Sequence, residues 1–188
     1  MSILPNSALI VIDMQNDFLD SKGALYLARQ SEYPQLLTMA INRAANMITN
    51  FKILEYPIYV LKDTHYPEDK EFITIASHCI KNSWGHELHP TIKKALEGSQ
   101  SVSINKFEFD GSNEFFQFIT HKRIITDIYL VGVAFDICVF HTAVGLTKKY
   151  LGKQIHIVKP ATYPSNFLWD VVTQEMLTDL FGIDIIYS

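Results

Sequence analysis

The chain lacks the features that mark secreted and membrane-spanning proteins. It has only two cysteines, Cys79 and Cys138, so at most one disulfide could form. Residues 1–5 carry no basic segment, and the apolar run at residues 8–12 is short and ends in an acid, so no secretory signal is indicated. No run approaches the ~20 apolar residues that span a bilayer. We therefore expect a cytoplasmic protein in which both thiols stay reduced.

The chain also has little excess charge of either sign. Its 16 lysines and arginines and 20 aspartates and glutamates give a net charge of -4, which argues against a nucleic-acid partner. At 48% hydrophobic and 19% charged residues, it has enough apolar side chains to build a folded core. Its 188 residues fit one domain of ordinary size. We expect residues 1–188 to form that domain, with no membrane partner.

Strand-like apolar runs alternate with helical patterns from end to end. Short continuous apolar runs are typical of strands covered on both faces, and apolar residues at 3.6-residue spacing indicate amphipathic helices. The alternation predicts an α/β fold of three layers, with a mostly parallel sheet of roughly six strands between helices. The predicted strands are residues 8–12, 57–61, 102–104, 124–134, 155–158 and 183–187, and the predicted helices are residues 33–54, 90–96, 112–120, 137–150 and 165–181.

Side chains that can carry chemistry follow four consecutive predicted strands. Asp13 follows the first strand, Asp63 and His65 follow the second, Lys106 follows the third and Cys138 follows the fourth. In an open parallel sheet, ligands bind beyond the carboxyl ends of the strands. We therefore expect an acid, a pair of metal ligands, an ammonium group and a thiol on the same rim of the fold.

Cys138 lies where a strand turns sharply into a helix. The helix dipole at such a position lowers the pKa of a thiol and favours the nucleophilic thiolate. Asp13 is a candidate base because partial burial raises a carboxyl pKa, and Lys106 beside both would stabilise their negative charges. Each residue also has a structural interpretation. Cys138 could be a small core residue, Asp13 a turn cap and Lys106 a surface group with a buried stem.

A second cluster has the composition of a metal site. Asp63 and His65, together with His78, offer oxygen and nitrogen ligands for a divalent ion such as Zn²⁺, Fe²⁺ or Mn²⁺. Glu71 falls between them and could add a fourth ligand. The alternative is that these histidines are solvated loop residues. For the remaining polar candidates we expect solvation of His86, His89 and His121, structural roles for His141 and His156, and a turn-forming role for Asp17.

In combination, these motifs resemble the isochorismatase-like cysteine hydrolases over roughly residues 7–187. The Asp-x-His pair followed by His-Cys is most similar to the nicotinamidase/pyrazinamidase branch. That branch would imply hydrolysis of nicotinamide, or of pyrazinamide, to the acid and ammonia, a step of NAD salvage. The motifs that carry the resemblance are Asp13, Lys106, the turn at residues 132–134 before Cys138, and the block at residues 78–90.

The resemblance implies a role for each matching residue. Cys138 would be the nucleophile that forms a thioester, Asp13 the acid and base, and Lys106 the third member of a triad. The Val133–Ala134 bond would be cis, and one divalent metal would anchor the pyridine ring. The remaining implied assignments are an oxyanion hole from the amides of Ala134 and Cys138, substrate contacts from Phe18, Val133 and Ala134, and metal ligands Asp63, His65 and His78, with Glu71 at a more variable fourth position.

The sequence departs from the nicotinamidase pattern around the expected substrate pocket. Ile75 stands near a position where nicotinamidases often carry a tryptophan, and Ile137 precedes the cysteine in place of tyrosine or histidine. Two other interpretations therefore stay open. One is a hydrolase of the same fold that acts on a vinyl ether, as isochorismatases do, or on another small amide. The other is a non-catalytic binding protein. A homo-oligomer is compatible with either.

Overall fold

One sheet of six parallel strands forms the centre of the molecule, in the order β3-β2-β1-β4-β5-β6. The structure is a computed structural model and describes residues 2–29, 31, 33–119, 124–150 and 152–187. The predicted parallel α/β fold is confirmed. The strands are β1 (Ser7–Ile12), β2 (Ile58–Asp63), β3 (Val102–Lys106), β4 (Asp127–Val133), β5 (Gln154–Tyr163) and β6 (Asp184–Ile186).

Helices connect the strands, as the alternating pattern predicts. The longest, α2, begins at a proline, which suits the first turn because it has no N–H to leave unpaired. Nowhere in the described ranges is there a helix with the length and apolar character needed to cross a membrane. The helices are α1 (Asn16–Leu19), α2 (Pro34–Ile53), α3 (Pro90–Leu96), α4 (Ser112–Phe118), α5 (Phe140–Lys149) and α6 (Phe167–Glu175), with a 3₁₀ turn at Lys70–Ile73 and π-helical turns at Phe135–Val139 and Met176–Leu180.

The central strand β1 is buried on both of its faces. Leu9 joins a core cluster with Ile48 of α2, whereas its neighbour Ile10 joins a cluster on the opposite face with Leu146 of α5. Successive strand residues point to opposite faces, so each face of the sheet is covered by its own helical layer. This double coverage explains why the strand reads as a continuous apolar run.

Some element boundaries differ from the prediction. Strand β5 continues to Tyr163, although the apolar run predicts an end at Val158. Strand β4 begins at Asp127 rather than at Ile124, which is largely exposed. The predicted helical end at Thr120 lies outside the described residues, as does His121.

The chain reverses its direction of strand addition between β1 and β4, which opens a crevice at their carboxyl ends. Ile12 pairs with Gly132 at this point. Gly132 has φ +126°, and a Cβ there would lie 2.0 Å from the Ile12 carbonyl oxygen. Only glycine therefore permits the close approach of the two strand ends that carry Asp13 and Cys138.

Candidate active site

Lys106 is the centre of a buried polar cluster at the strand ends. Its side chain is 0% exposed, and its Nζ lies 2.9 Å from Asp13 Oδ2 and 2.9 Å from Asp63 Oδ1. The same Nζ donates to the Glu108 carbonyl at 3.1 Å and lies 3.6 Å from Cys138 Sγ. A surface position for this lysine is thereby excluded. The four strand ends do meet on one rim, as predicted.

Burial and mutual charge set the protonation of this cluster. Burial raises the pKa of Asp13 to about 6, although the Lys106 ammonium opposes the shift, so the carboxyl group is ionised at neutral pH and can accept a proton. Burial alone would raise the pKa of Asp63, but hydrogen bonds from His65, His78 and Lys106 lower it overall. Burial would lower the pKa of Lys106, but the neighbouring Asp13, Cys138 and Asp63 raise it.

Cys138 lies in the π-helical turn that precedes α5 and is 7% exposed. Burial raises the pKa of its thiol, although the Lys106 ammonium opposes the shift. The expectation of a pKa lowered by the helix dipole is therefore wrong, because loss of hydration outweighs the favourable charges. The resting group is a thiol, a form that the neighbouring Asp13 carboxylate also favours.

The turn between β4 and Cys138 contains the expected cis peptide bond, Val133–Ala134. The Ala134 carbonyl accepts hydrogen bonds from the amides of Ile137 and Val139, both at 3.1 Å. The Cys138 amide lies between these two donors in the sequence.

Three buried side chains converge next to this cluster. The ligand atoms of Asp63, His65 and His78 all lie within 4.8 Å of one another. Asp63 Oδ2 is 3.1 Å from His65 Nε2 and 3.2 Å from His78 Nε2. Glu71 Oε1 lies 3.3 Å from His65 Nε2 and 3.8 Å from His78 Nε2. The four predicted metal-ligand candidates are thus brought together.

The outer nitrogens of both histidines are held by hydrogen-bond acceptors. His65 Nδ1 is 2.9 Å from Asp69 Oδ2, and His78 Nδ1 is 2.9 Å from the Ala76 carbonyl. Each Nδ1 must therefore carry a hydrogen, so Nε2 is the atom that offers its lone pair to the centre whenever the ring is neutral. Burial would lower the pKa of His65, but Asp63, Asp69 and Glu71 outweigh it and raise the pKa to about 9. The centre of this group attracts a positive charge, either a proton or a metal ion.

A cavity of about 450 Å³ joins the two clusters. Cys138, Ala134, Asp63 and His78 all line it, and Phe18 packs edge-on against the His78 ring at 5.6 Å between centroids. Most of the remaining lining is apolar, and the expected pocket residue Ile75 is part of it: Leu25, Tyr26, Leu27, Ile75, Phe109 and Ile137.

Gln15 is a positioning residue that sequence analysis missed. Its side-chain Nε2 donates to the Asp63 carbonyl at 2.9 Å, and its Oε1 accepts from the Asp63 N–H at 2.8 Å. The side chain thus pairs with the end of β2 as a neighbouring strand would. The available signal was its position two residues after Asp13, just beyond a buried strand. A polar side chain buried there needs hydrogen-bond partners, and main-chain groups are the usual ones.

The predictions for several other polar residues need correction. His86 is buried, with Nε2 3.0 Å from Thr64 Oγ1, and burial lowers its pKa to about 4. His89 is half-buried and accepts from the Thr91 N–H at the start of α3. Neither is simply solvated. Asp17 does not form a local turn; its carboxylate accepts from the N–H groups of Ala24 and Cys79 and ties two loops together.

The remaining two histidines have different outcomes. His156 is buried between Asp127 and Asp184, at 2.8 and 2.9 Å, which confirms its structural role. His141 is exposed, and its Nδ1 lies 2.8 Å from the Ile137 carbonyl oxygen in the π-helical turn that precedes α5.

The structure thus combines a parallel α/β sheet with a buried acid, an ammonium group and a thiol at the carboxyl ends of its strands. The Isochorismatase domain family matches residues 7–176, and the chain belongs to that family. It is therefore a hydrolase of the isochorismatase family, as the motifs predict.

Among curated relatives, the chain is similar to the isochorismatase family protein PncA of Bacillus subtilis. The two are 28% identical over 156 residues, which cover 79% of this chain and 82% of the relative. It is also similar to a nicotinamidase of Saccharomyces cerevisiae, at 24% identity over 83% of this chain and 87% of that protein.

Solved structures show the same fold. The nicotinamidase/pyrazinamidase PncA of Bacillus subtilis superposes with a TM-score of 0.83, at 23% identity, and covers 97% of this chain and 100% of that chain. A pyrazinamidase of Pyrococcus horikoshii in complex with zinc has a TM-score of 0.73 at 23% identity, with 98% and 100% coverage.

Proposed function

We propose that this chain is a nicotinamidase that hydrolyses nicotinamide, and also pyrazinamide, to the acid and ammonia. The observation that carries the proposal is a single cavity lined by both the Cys138 thiol and the Asp63–His78 side of a metal-ligand cluster. The same pocket would hold the amide carbon of the substrate at the thiol and its ring nitrogen at the metal-ligand cluster. The name of the Saccharomyces cerevisiae relative, a nicotinamidase, and the names of the structural neighbours support this substrate class.

Asp13, Lys106 and Cys138 are the proposed catalytic residues. Asp13 accepts the thiol proton as the Cys138 sulfur attacks the amide carbon, and a tetrahedral intermediate forms. The carbon–nitrogen bond then breaks, and Asp13 returns the proton to the departing ammonia. Water attacks the resulting thioester, Asp13 accepts one of its protons, and the acid leaves as the thiol is restored. Lys106, 2.9 Å from Asp13 and 3.6 Å from the sulfur, stabilises negative charge throughout.

The negative oxygen of the tetrahedral intermediate needs hydrogen-bond donors. We assign this role to the amides of Ala134 and Cys138, which flank the turn at the cavity wall. Support comes from the pattern at Ala134, whose carbonyl takes the amides of Ile137 and Val139 and not the one between them. Preorganised amides of this kind are often the largest single contribution to acyl-transfer catalysis. Phe18 and Ala134, which line the cavity, are proposed to contact the substrate ring and carbonyl. Val133 is 1% exposed and is not among the lining residues, so its contact with the substrate stays a prediction.

The buried histidine–carboxylate group fits a divalent ion. Ligand atoms about 2.0–2.2 Å from a tetrahedral Zn²⁺ lie about 3.3–3.6 Å apart. Four of the six separations among Asp63, His65, His78 and Glu71 are 3.1, 3.2, 3.3 and 3.8 Å, and the ligand atoms of the first three residues all lie within 4.8 Å of one another. Both imidazoles also have their Nε2 atoms turned to the centre by bonds at Nδ1. When bound, the ion would supply a Lewis-acid site for the pyridine nitrogen. The mixed oxygen and nitrogen ligands suit Zn²⁺, Fe²⁺ or Mn²⁺.

Removing one imidazole should distinguish the contribution of the metal from that of the catalytic residues. We expect His65→Ala to lower the metal content from about one ion per chain to less than a tenth. Mutation of a residue that only hydrogen-bonds to a ligand can already cost about 10–100-fold in metal affinity, and this substitution removes a ligand itself. KM for nicotinamide should rise more than kcat falls. Elemental analysis and steady-state kinetics measure the two effects. His89→Ala, a histidine that contacts α3 instead, is the matched control. Equal metal content in both variants would contradict the assignment.

Ammonia release tests the proposed function directly. Purified protein, reconstituted with Zn²⁺, Fe²⁺ or Mn²⁺ in turn, is assayed with nicotinamide, pyrazinamide and benzamide. We expect turnover of the two ring amides that carry a ring nitrogen and much slower turnover of benzamide, which offers no nitrogen to the metal side. If no metal form releases ammonia from any amide, while isochorismate is consumed, the vinyl-ether interpretation replaces this one. If neither substrate is consumed, the non-catalytic interpretation replaces it.

A further inference from the structure

Arg29 gives the substrate cavity a positive charge that the proposed reaction does not use. Among the described residues that line the cavity, it is the only arginine or lysine. Its Nη2 donates to the Gly23 carbonyl at 2.7 Å, which anchors the guanidinium in the loop at the cavity wall. This bond uses one of the five N–H donors of the side chain. An anchored guanidinium at the edge of an apolar pocket is well suited to a carboxylate or phosphate.

The cavity is also larger than a single ring and an amide group require. Its volume of about 450 Å³ falls in the range of about 300–1,000 Å³ that is typical for drug-sized ligands. Ile75 and the small side chain of Ala24 form part of the wall. A substrate with an additional substituent would therefore fit without displacing the amide from Cys138.

A second hollow of about 430 Å³ lies beside this cavity. Leu27 and Ser165 line both spaces, so the two share a wall beside the loop that carries Arg29. Asp136 holds that wall in place, because its carboxylate accepts from the Ser165 N–H at 2.6 Å and from the Ser165 hydroxyl at 2.7 Å. In the described part of the chain, no aspartate or glutamate lines the second hollow. The Asp136 carboxylate beside this wall already accepts three hydrogen bonds, from the Ser165 N–H, the Ser165 hydroxyl and the Asn166 N–H.

We propose that the preferred substrates are aromatic amides that carry an anionic oxygen group, a carboxylate or a phosphate, bound by Arg29. This inference rests on the proposed amide hydrolysis at Cys138. The amide lies at the thiol, the ring lies against Phe18, and the anionic substituent extends toward the loop at Arg29. Nicotinamide itself is then a substrate that leaves the Arg29 contact unused.

Derivatives of nicotinamide test this inference. Dinicotinic acid monoamide is nicotinamide with one added ring carboxylate, and its methyl ester is a neutral analogue of similar shape. The phosphate ester of hydroxynicotinamide, compared with hydroxynicotinamide itself, provides the phosphate arm. We expect KM for at least one anionic amide to lie about tenfold or more below that of its neutral analogue, since hydrogen bonds to charged groups are among the stronger ones. The pair of compounds with the larger ratio of neutral to anionic KM shows whether the site prefers a carboxylate or a phosphate.

Arg29→Gln should remove this preference selectively. We expect KM for the anionic amide to rise about tenfold or more, with kcat and the kinetics of nicotinamide little changed. Arg29→Lys keeps the charge without the planar fork and should give an intermediate KM. Arg43→Gln, which removes an exposed arginine from α2, controls for the change in net charge. Melting temperatures of all variants identify any loss of folding through the Gly23 bond.

Binding to a Cys138→Ala protein separates this inference from the proposed function. Calorimetry in that background, with and without Arg29→Gln, measures affinity for the anionic amide without turnover. Equal affinity for anionic and neutral amides, or an equal effect of Arg29→Gln on both, would overturn the inference while nicotinamide hydrolysis could still stand. Tight, Arg29-dependent binding without ammonia release from the wild-type protein would instead overturn the catalytic proposal.

Discussion

Replacing Cys138 with alanine should reduce ammonia release from nicotinamide by at least about a thousandfold, because no other group in the cluster can form the thioester. The side chain is 7% exposed and small, so its truncation removes little packing. We expect the melting temperature to fall by only a few degrees. Stopped assays of ammonia and a thermal melt measure the two effects separately. A mass shift equal to the acyl group, trapped in the wild-type protein by acid quench, should be absent from the variant.

Cys79 provides a matched control in the same chain. It is a second buried free cysteine, adjacent to His78, but it does not line the cavity. Cys79→Ala should therefore keep most of the activity while it loses a comparable amount of buried volume. Turnover by Cys138→Ala at a tenth of the wild-type rate or more would rule out the thiolate mechanism. An equal loss in both variants would point to a general effect on folding.

Replacing Lys106 with methionine should have the largest effect on stability. Methionine fills a similar length but leaves Asp13 and Asp63 as two buried carboxylates without the ammonium that lies 2.9 Å from each. Removal of one partner of a buried charge cluster costs about 3–5 kcal/mol, so the free energy of unfolding should fall by about that amount at neutral pH. Urea denaturation measures the difference. Activity should also fall, because the charge beside the thiol is lost.

The destabilisation should diminish as the pH is lowered. Burial already raises the pKa of Asp13 from 3.8 to about 6, against the influence of Lys106. Without the ammonium its folded-state pKa rises further, and the folded variant then takes up a proton at a higher pH than the unfolded chain does. The stability gap to wild type should therefore narrow between neutral pH and pH about 5. Lys93→Met, at a side chain that is 70% exposed, should show neither the loss nor the pH dependence. A pH-independent gap would contradict this account.

The sheet and the location of the site could be predicted because both depend on local patterns. Continuous apolar runs identify strands buried on both faces, and polar residues at their ends must meet once the strands are parallel. Asp13, Asp63, Lys106 and Cys138 followed from this reasoning without any knowledge of tertiary contacts. The boundary of β5 did not, because its pairing with β4 continues to Tyr163 beyond the apolar run.

Properties that depend on the whole environment of a group could not be predicted. The helix position of Cys138 suggests a lowered pKa, but the amount of burial, which decides the direction, depends on packing from distant segments. His86 lies in a polar loop, yet Thr64 contacts its ring and the side-chain amide of Gln15 donates to its carbonyl. The role of Gln15 likewise depends on Asp63, a partner 48 residues away in the sequence.

The two oxygens of Asp63 face different neighbours, and this division limits how the protein can be altered. Oδ1 accepts from the Lys106 ammonium, whereas Oδ2 faces the two imidazoles. Any substitution at position 63 therefore disturbs both the cluster around Lys106 and the metal-ligand cluster, so its effect cannot be assigned to either cluster alone. An engineer who wishes to retune ion preference alone has to work at His65 or Glu71, where neither side chain touches the ammonium.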